Sequence, residues 1–299
     1  MPPLDLEGVP ETLRIGTSSF STTDWVGGFY PPGTKPADFL SYYASVFATV
    51  EIDATWYAMP AKRTVSGWAE KTPDDFVFSL KVPKKITHEA YLEDCEADWT
   101  AFLRTLEPLG GKRGPLLFQF PYVAKGKDAE EYATGADFRR RLATFAEQLP
   151  QDGLHIVEVR NAKWIGDPLL DLLRSHRIGL SLPAYYTMPT ARDHLSASRA
   201  VTELVTGPVA YVRFLGHHRR MDTLVKEARQ KRGKERDWDE VLVDRSAETR
   251  DWAQLIGRLI DDGVTTHAYF NNHFAGYAPG SIELFVDQWR QLRGTSPSA

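Results

Sequence analysis

Three acids and three bases stand at or near the ends of short apolar runs in this chain. Glu51 and Asp53 occur in TVEIDATWY, Lys81 in FSLK, Glu158 and Arg160 in HIVEVR, and Arg213 in YVRF. Carboxylates set among cations suit proton transfer on a bound anion. Burial and like charge raise a carboxylate pKa and a neighbouring cation lowers it, so one group can be poised as base while another keeps its proton. On this reading Glu158 is base or acid, Asp53 or Glu51 is its counterpart, and Lys81 with Arg213 stabilises developing negative charge. The competing reading is a lumen filled by structural ion pairs. It is weakened by the cost of burying six charges where an apolar filling would be at least as stable.

The elements that must position these groups follow from β-rich runs bounded by turn signals. Such runs cover 13–20, 49–57, 76–82, 115–120, 155–160, 179–184, 209–216 and 266–272, with amphipathic helical stretches at 37–47, 98–106, 137–148, 169–176, 249–260 and 281–292. Strands alternating with helices imply parallel pairing. Eight such units in 299 residues predict a single-domain (β/α)8 TIM barrel with its core at about 13–292, a fold that needs ~250 residues. The rival doubly wound sheet should carry GxGxxG after its first strand, and an aromatic loop with no such motif stands there instead. The segment 187–206 gives the weakest helix signal, and the Ser/Pro-containing tail after Leu292 is expected to fray.

Side chains alternate along a strand. In the second run Val50, Ile52 and Ala54 face the helices and Glu51, Asp53 and Thr55 face the lumen; in the fifth, Val157 and Val159 leave Glu158 and Arg160 inward. The same parity places Ser18, Ser79, Lys81, Gln119, Arg213 and Asn271 inward. The predicted site lies where the C-terminal strand ends converge. It has Glu158, Asp53, Glu51 and Lys81 as catalytic groups, and Ser18, Gln119, Arg160, Arg213 and Asn271 as substrate-binding groups. Trp25, Phe29, Tyr30, Trp56, Tyr185 and Tyr186 add aromatic surface beside the mouth.

Taken in order, EIDATWY, FSLK followed by THE, EVR with a nearby Trp, YVRF and YFNN resemble the YecE-like family, a TIM-barrel group of unknown function. The resemblance runs from about Ile15 to Trp289. It implies the barrel fold, and it marks Glu51, Tyr57, Lys81, Thr87, His88, Glu158, Arg160, Trp164, Arg213, Asn271 and Asn272 as recurring motif positions, with no established reaction attached; on that ground Tyr57, His88, Trp164 and Asn272 join the expected substrate-binding groups. The chain departs from the family at Asp53, where Asn is frequent, at Leu215, where His is frequent, and in SLPAYY, which lacks an acid near the end of strand six.

Other chemistries leave weaker marks. Glu51, Asp53 and Glu158 could hold a divalent metal, with His88, His217 or His273 adding a nitrogen, but no HxH or HExxH spacing occurs. The residues assign no metal site and no cofactor. A phosphate could sit in the loops after strands seven and eight, gripped by Arg213, Asn272 and backbone N–H groups. A covalent role for Lys81 is opposed by the carboxylates around it, and no GxSxG elbow is present.

Lys plus Arg number 36 against 40 Asp plus Glu, a net charge of −4, which removes the basic field of a dedicated duplex-DNA binder. The mixed charges of 226–240, where a lid could sit, are no nucleic-acid stripe either. A lone cysteine, Cys95, in a polar stretch that reads as helical, excludes an internal disulfide and fits a reducing compartment. The chain shows no signal-peptide pattern and no long apolar run. A cytoplasmic protein with no membrane partner is expected. Its expected function is enzymatic, hydrolase- or lyase-like, on a small phosphate- or carboxylate-bearing substrate. The alternatives are a metal-dependent phosphodiester hydrolase resembling endonuclease IV-type barrels, with nucleic acid as a less favoured partner, and a non-catalytic ligand binder. No oligomeric state is specified.

Overall fold

Runs rich in Val, Ile, Leu and Phe become the strands β1 (Leu13–Thr17), β2 (Thr49–Ile52), β3 (Val77–Lys81), β4 (Arg113–Gln119), β5 (His155–Glu158), β6 (Gly179–Tyr185), β7 (Ala210–Gly216) and β8 (Thr266–Phe270). The computed structural model describes residues 4–124, 134–233 and 236–294. The sheet order is β1-β8-β7-β6-β5-β4-β3-β2, and the strands run parallel, as in β1 with β8 and in β3, β4, β5 and β6. The fold is a nearly closed (β/α)8 barrel.

The helices between strands include α1 (Phe39–Val46), α2 (Lys62–Glu70), α3 (Glu96–Leu106), α4 (Gly135–Ala146), α5 (Asp167–Ser175), α6 (Ala191–Ser196), α7 (His218–Arg232), α8 (Ser246–Asp261), α9 (Asn272–Ala275) and α10 (Ala278–Arg293). Their apolar faces are covered: Leu169, Leu170 and Leu173 of α5 and Trp252, Leu255, Ile256 and Leu259 of α8 are all buried. A capping box starts α4, where Thr134 and Asp137 satisfy each other's backbone N–H groups.

The described chain divides into two compact units. One contains the residues up to Val50, Pro183–Thr202 and those from Val212 onward; the other contains Glu51–Leu182 and Glu203–Tyr211. In the first, the Tyr43 hydroxyl links β1 to β2: it accepts from the Thr17 backbone N–H at 2.8 Å and donates to the Thr49 carbonyl at 3.1 Å. Gly16 permits that closeness, because a Cβ there would stand 2.2 Å from the Thr49 carbonyl oxygen. Tyr43→Phe strips this buried bridge from both strands. It is expected to lower stability by about 1–3 kcal/mol, read as a lower urea midpoint at unchanged slope; an unchanged midpoint would show that the bridge contributes nothing.

Several strands are shorter than alternation suggested. β2 stops at Ile52, where a 3-10 turn, Asp53–Trp56, begins; β5 stops at Glu158 and β8 at Phe270. Asp53, Arg160 and Asn271 therefore lie beyond strand ends, and strand parity does not orient them. Cys95 is buried just before α3 rather than set in a polar helix. The segment 187–206 yields only α6 and a 3-10 turn, Val201–Leu204. Of the charged stretch 226–240, residues 226–232 continue α7, while 234–235 and the tail beyond 294 lie outside the described residues.

Candidate functional site

Register brings the first residues together. Gln119 pairs with Glu158, Leu117 with Ile156, and Lys81 with Leu117, so Lys81, Gln119 and Glu158 share one face of the sheet. Glu51 and Glu158 are fully buried. Glu158 forms an ion pair with Arg160 at 2.6 Å and accepts a hydrogen bond from the Ser181 hydroxyl at 2.9 Å. Glu51 accepts from the Tyr211 hydroxyl at 2.7 Å, and Ser79 Oγ lies 2.6 Å from the same phenolic oxygen. Each carboxylate is thus held by a named polar partner, as burial requires.

Beyond the strand ends, two irregular turns add an aromatic and imidazole layer. The turn Asp53–Trp56 presents Trp56, and a π-helical turn, Lys85–Glu89, presents His88. Lys81 Nζ lies 4.5 Å from the centre of the Trp56 ring, a cation–π contact. The Trp56 indole N–H donates to His88 Nδ1 at 3.4 Å, and Thr87 Oγ1 stands 2.9 Å from that nitrogen. Because an indole can only donate, Nδ1 is the acceptor and the neutral ring carries its proton on Nε2. Burial lowers the His88 pKa to about 4, and the charges of Lys81 and Arg160 push in the same direction.

The loop that carries His88 is strained. Tyr91 (φ 51°), Leu92 (φ 67°) and Asp94 (φ 48°) are all left-handed without being glycine, a conformation that costs energy and gathers at functional loops.

The remaining predicted residues occupy different surroundings. Tyr57 is exposed and meets Trp56 edge-on at 4.8 Å, and Asp53 is half-buried. Trp164 stacks on Phe138 at 5.1 Å, so part of its ring packs against α4. Ser18, Arg213, Asn271 and Asn272 belong to the other unit. There Ser18 Oγ is buried with no hydrogen-bond partner among the described residues, and Arg213 is buried within β7. Both asparagine oxygens serve as local caps: Asn271 Oδ1 accepts from the His273 N–H and Asn272 Oδ1 from the Ala278 N–H. His217 caps α7 and His218 opens it; His218 stacks on His273 at 4.4 Å. Among the described residues, no three His, Cys, Asp or Glu side chains converge to hold a metal ion.

Sequence reasoning did not single out Ser181 and Tyr211. Tyr211 shares strand parity with the inward Arg213, a signal that was available; Ser181 lies on β6, where no residue was read as inward.

A parallel eight-stranded α/β barrel with buried carboxylates and a cation–aromatic layer at its strand ends defines a TIM-barrel protein. The chain belongs to the DUF72 family, described as a protein family of unknown function, which matches residues 14–299. It is similar to the UPF0759 protein YecE of Escherichia coli strain K12, with 30% identity over 191 residues, 59% of this chain and 66% of YecE. The matched region is thus just under two thirds of that relative. The UPF0759 protein YunF of Bacillus subtilis strain 168 is 35% identical over 115 residues, 36% of this chain and 40% of YunF. Among solved structures, a DUF72 family protein from Thermotoga maritima shares the fold with a TM-score of 0.68 at 24% identity, covering 94% of this chain and 99% of that one. One from Enterococcus faecalis V583 has a TM-score of 0.62 at 21% identity, covering 96% and 97%. Among the described residues no helix is long and apolar enough to cross a membrane.

Proposed function

We propose that the group around Glu51, Lys81, His88, Glu158 and Arg160 binds a small phosphate- or carboxylate-bearing substrate and acts on it by carboxylate acid/base chemistry. The observation that carries this reading is the placing of two cations beside His88: Lys81 lies over the Trp56 ring whose N–H meets His88 Nδ1, and Arg160 is close enough to act on the same imidazole. Burial is the larger cause of the lowered His88 pKa, but the positive charges of Lys81 and Arg160 that lower it further are what attract an anion. A neutral His88 then offers Nε2–H as a donor, while Lys81 and Arg160 supply charge. Glu158, already bonded to Arg160 and Ser181, is the proton-transfer group of this proposal, with Glu51 or Asp53 as its counterpart. Gln119, Tyr57 and Trp164 are its flanking contacts.

Calorimetric titration with phosphate, sulfate and phosphorylated sugars tests the anion claim. Lys81→Met is expected to weaken binding at least about tenfold, the usual scale of a lost charge-assisted contact. Absence of binding at millimolar concentration, or equal affinity in Lys81→Met, rejects it. Once a substrate is found, Glu158→Gln should retain binding and lose roughly 100-fold or more in turnover; normal turnover would leave Glu158 a structural ion-pair member.

A further inference from the structure

In the unit that carries β1 and β8, the turn after β1 and the start of α10 border a solvent-open cavity of about 140 Å3. Phe29, Tyr30, Pro31, Tyr42 and Tyr277 form its walls, and Glu283, an exposed residue, supplies a carboxylate at its open edge; no Lys, Arg or His is among the described residues that line it. The rings are fixed by mutual edge contacts, Phe29 with Tyr30 at 4.9 Å, Phe29 with Tyr42 at 5.5 Å and Tyr30 with Tyr42 at 5.7 Å. Tyr277 packs edge-on against Trp25 at 6.4 Å. Gly28 leaves space for the Tyr277 hydroxyl, which would stand 3.0 Å from a Cβ at that position.

Charge inside this cavity is one-sided. Among the described residues Glu283 has neither an ion pair nor a hydrogen bond. Burial raises its pKa and Asp287 raises it further, with no cation acting in the other direction. The Tyr277 phenol is pushed up as well, first by burial and then by Glu283, Asp239 and Tyr42. On the rim, the Arg236 guanidinium donates to the Val26 carbonyl, and its charge acts against a guest ammonium on that side. Aromatic walls with a carboxylate that has no ion pair, and with no basic side chain in the lining, among the described residues, are complementary to an organic cation, which gains from π faces and a charge-assisted hydrogen bond together.

We propose that this cavity is a binding site for the ammonium group of a small primary amine, with Glu283 as its counter-charge and Tyr42 and Tyr277 as its aromatic walls. The site uses none of the residues assigned to the anion-binding cluster, and it stands or falls independently of that reading. The size of the cavity limits the guest to an ammonium with a short alkyl chain.

The test is calorimetric titration of the full chain with n-butylammonium chloride, using 1-butanol and sodium butyrate as uncharged and anionic comparators. Saturable binding of butylammonium is expected, with 1-butanol weaker by at least about tenfold and butyrate not binding. Glu283→Gln should weaken butylammonium binding by about tenfold or more, and Tyr42→Leu by several-fold. The melting temperature of Glu283→Gln should be unchanged or higher, because its exposed carboxylate has no partner to lose among the described residues, so weaker binding cannot be ascribed to unfolding. Failure to saturate in the millimolar range, equal affinity for 1-butanol, or affinity untouched by Glu283→Gln overturns the proposal.

Discussion

Arg160→Ala is expected to cost about 3–5 kcal/mol of folding stability, the usual penalty for removing one partner of a buried ion pair. Glu158 is fully buried and Arg160 is 8% exposed, with Nη2 and Oε1 2.6 Å apart. Without the guanidinium, the carboxylate stays where water cannot solvate it. At roughly 2–4 °C per kcal/mol for a chain of this size class, the melting temperature should fall by about 10 °C. The paired change Glu158→Leu with Arg160→Leu should recover most of that loss, because apolar residues of similar volume can replace a buried pair at little cost. Phosphate or sulfate binding should not return with it. That separation distinguishes a pair kept for chemistry from one kept for folding. A loss below about 1 kcal/mol for Arg160→Ala would show that the pair is effectively solvated, contrary to its burial.

Much of this arrangement was legible in the chain because two-residue periodicity survives wherever a strand is regular. Lys81, Gln119 and Glu158 could be grouped from parity alone, and their ladder partners place them on one face. The same reasoning overran at Asp53, Arg160 and Asn271, since periodicity carries no mark of where a ladder ends and a 3-10 turn or a cap begins. The proximity of Trp56 to His88 lay beyond sequence reasoning for a related reason. It depends on the turn Asp53–Trp56 and the π-helical turn Lys85–Glu89, and neither has a repeat to read. Nor could the left-handed Tyr91, Leu92 and Asp94 be foreseen, because that conformation is disfavoured for their residue types and is imposed by the surrounding packing. Family resemblance supplied His88 where periodicity did not.

Folding stability should fall steeply as pH drops from 6.5 to 5, well above the range where most carboxylates titrate. His155 and His267 are each 3% exposed. Burial lowers the pKa of His155 to about 4, with Arg113 adding to the effect, and that of His267 to about 3, with Arg14 adding to it. No partner for His155 Nε2 exists among the described residues, while His267 Nδ1 lies 3.1 Å from the Tyr269 hydroxyl. Both folded values lie below the ordinary 6.5, so the unfolded chain binds the extra protons and stability rises with pH. The full contribution is present above pH 6.5 and is lost progressively as pH falls through the window toward 4 and 3. Between pH 6.5 and 5 each buried ring accounts for roughly 1.6 kcal/mol, about 3 kcal/mol for the two. His88, with a pKa also lowered to about 4, adds a share of the same order, and the lowered pKa values of His194 and His273 act in the same direction. Urea melts at pH 6.5 and 5 should show the midpoint falling at constant slope. His155→Leu or His267→Gln should each remove roughly 1.6 kcal/mol of the dependence, whatever its effect on absolute stability. A stability that stays level across this window would mean that these imidazoles titrate alike in the folded and unfolded chain, which their burial in this barrel does not allow.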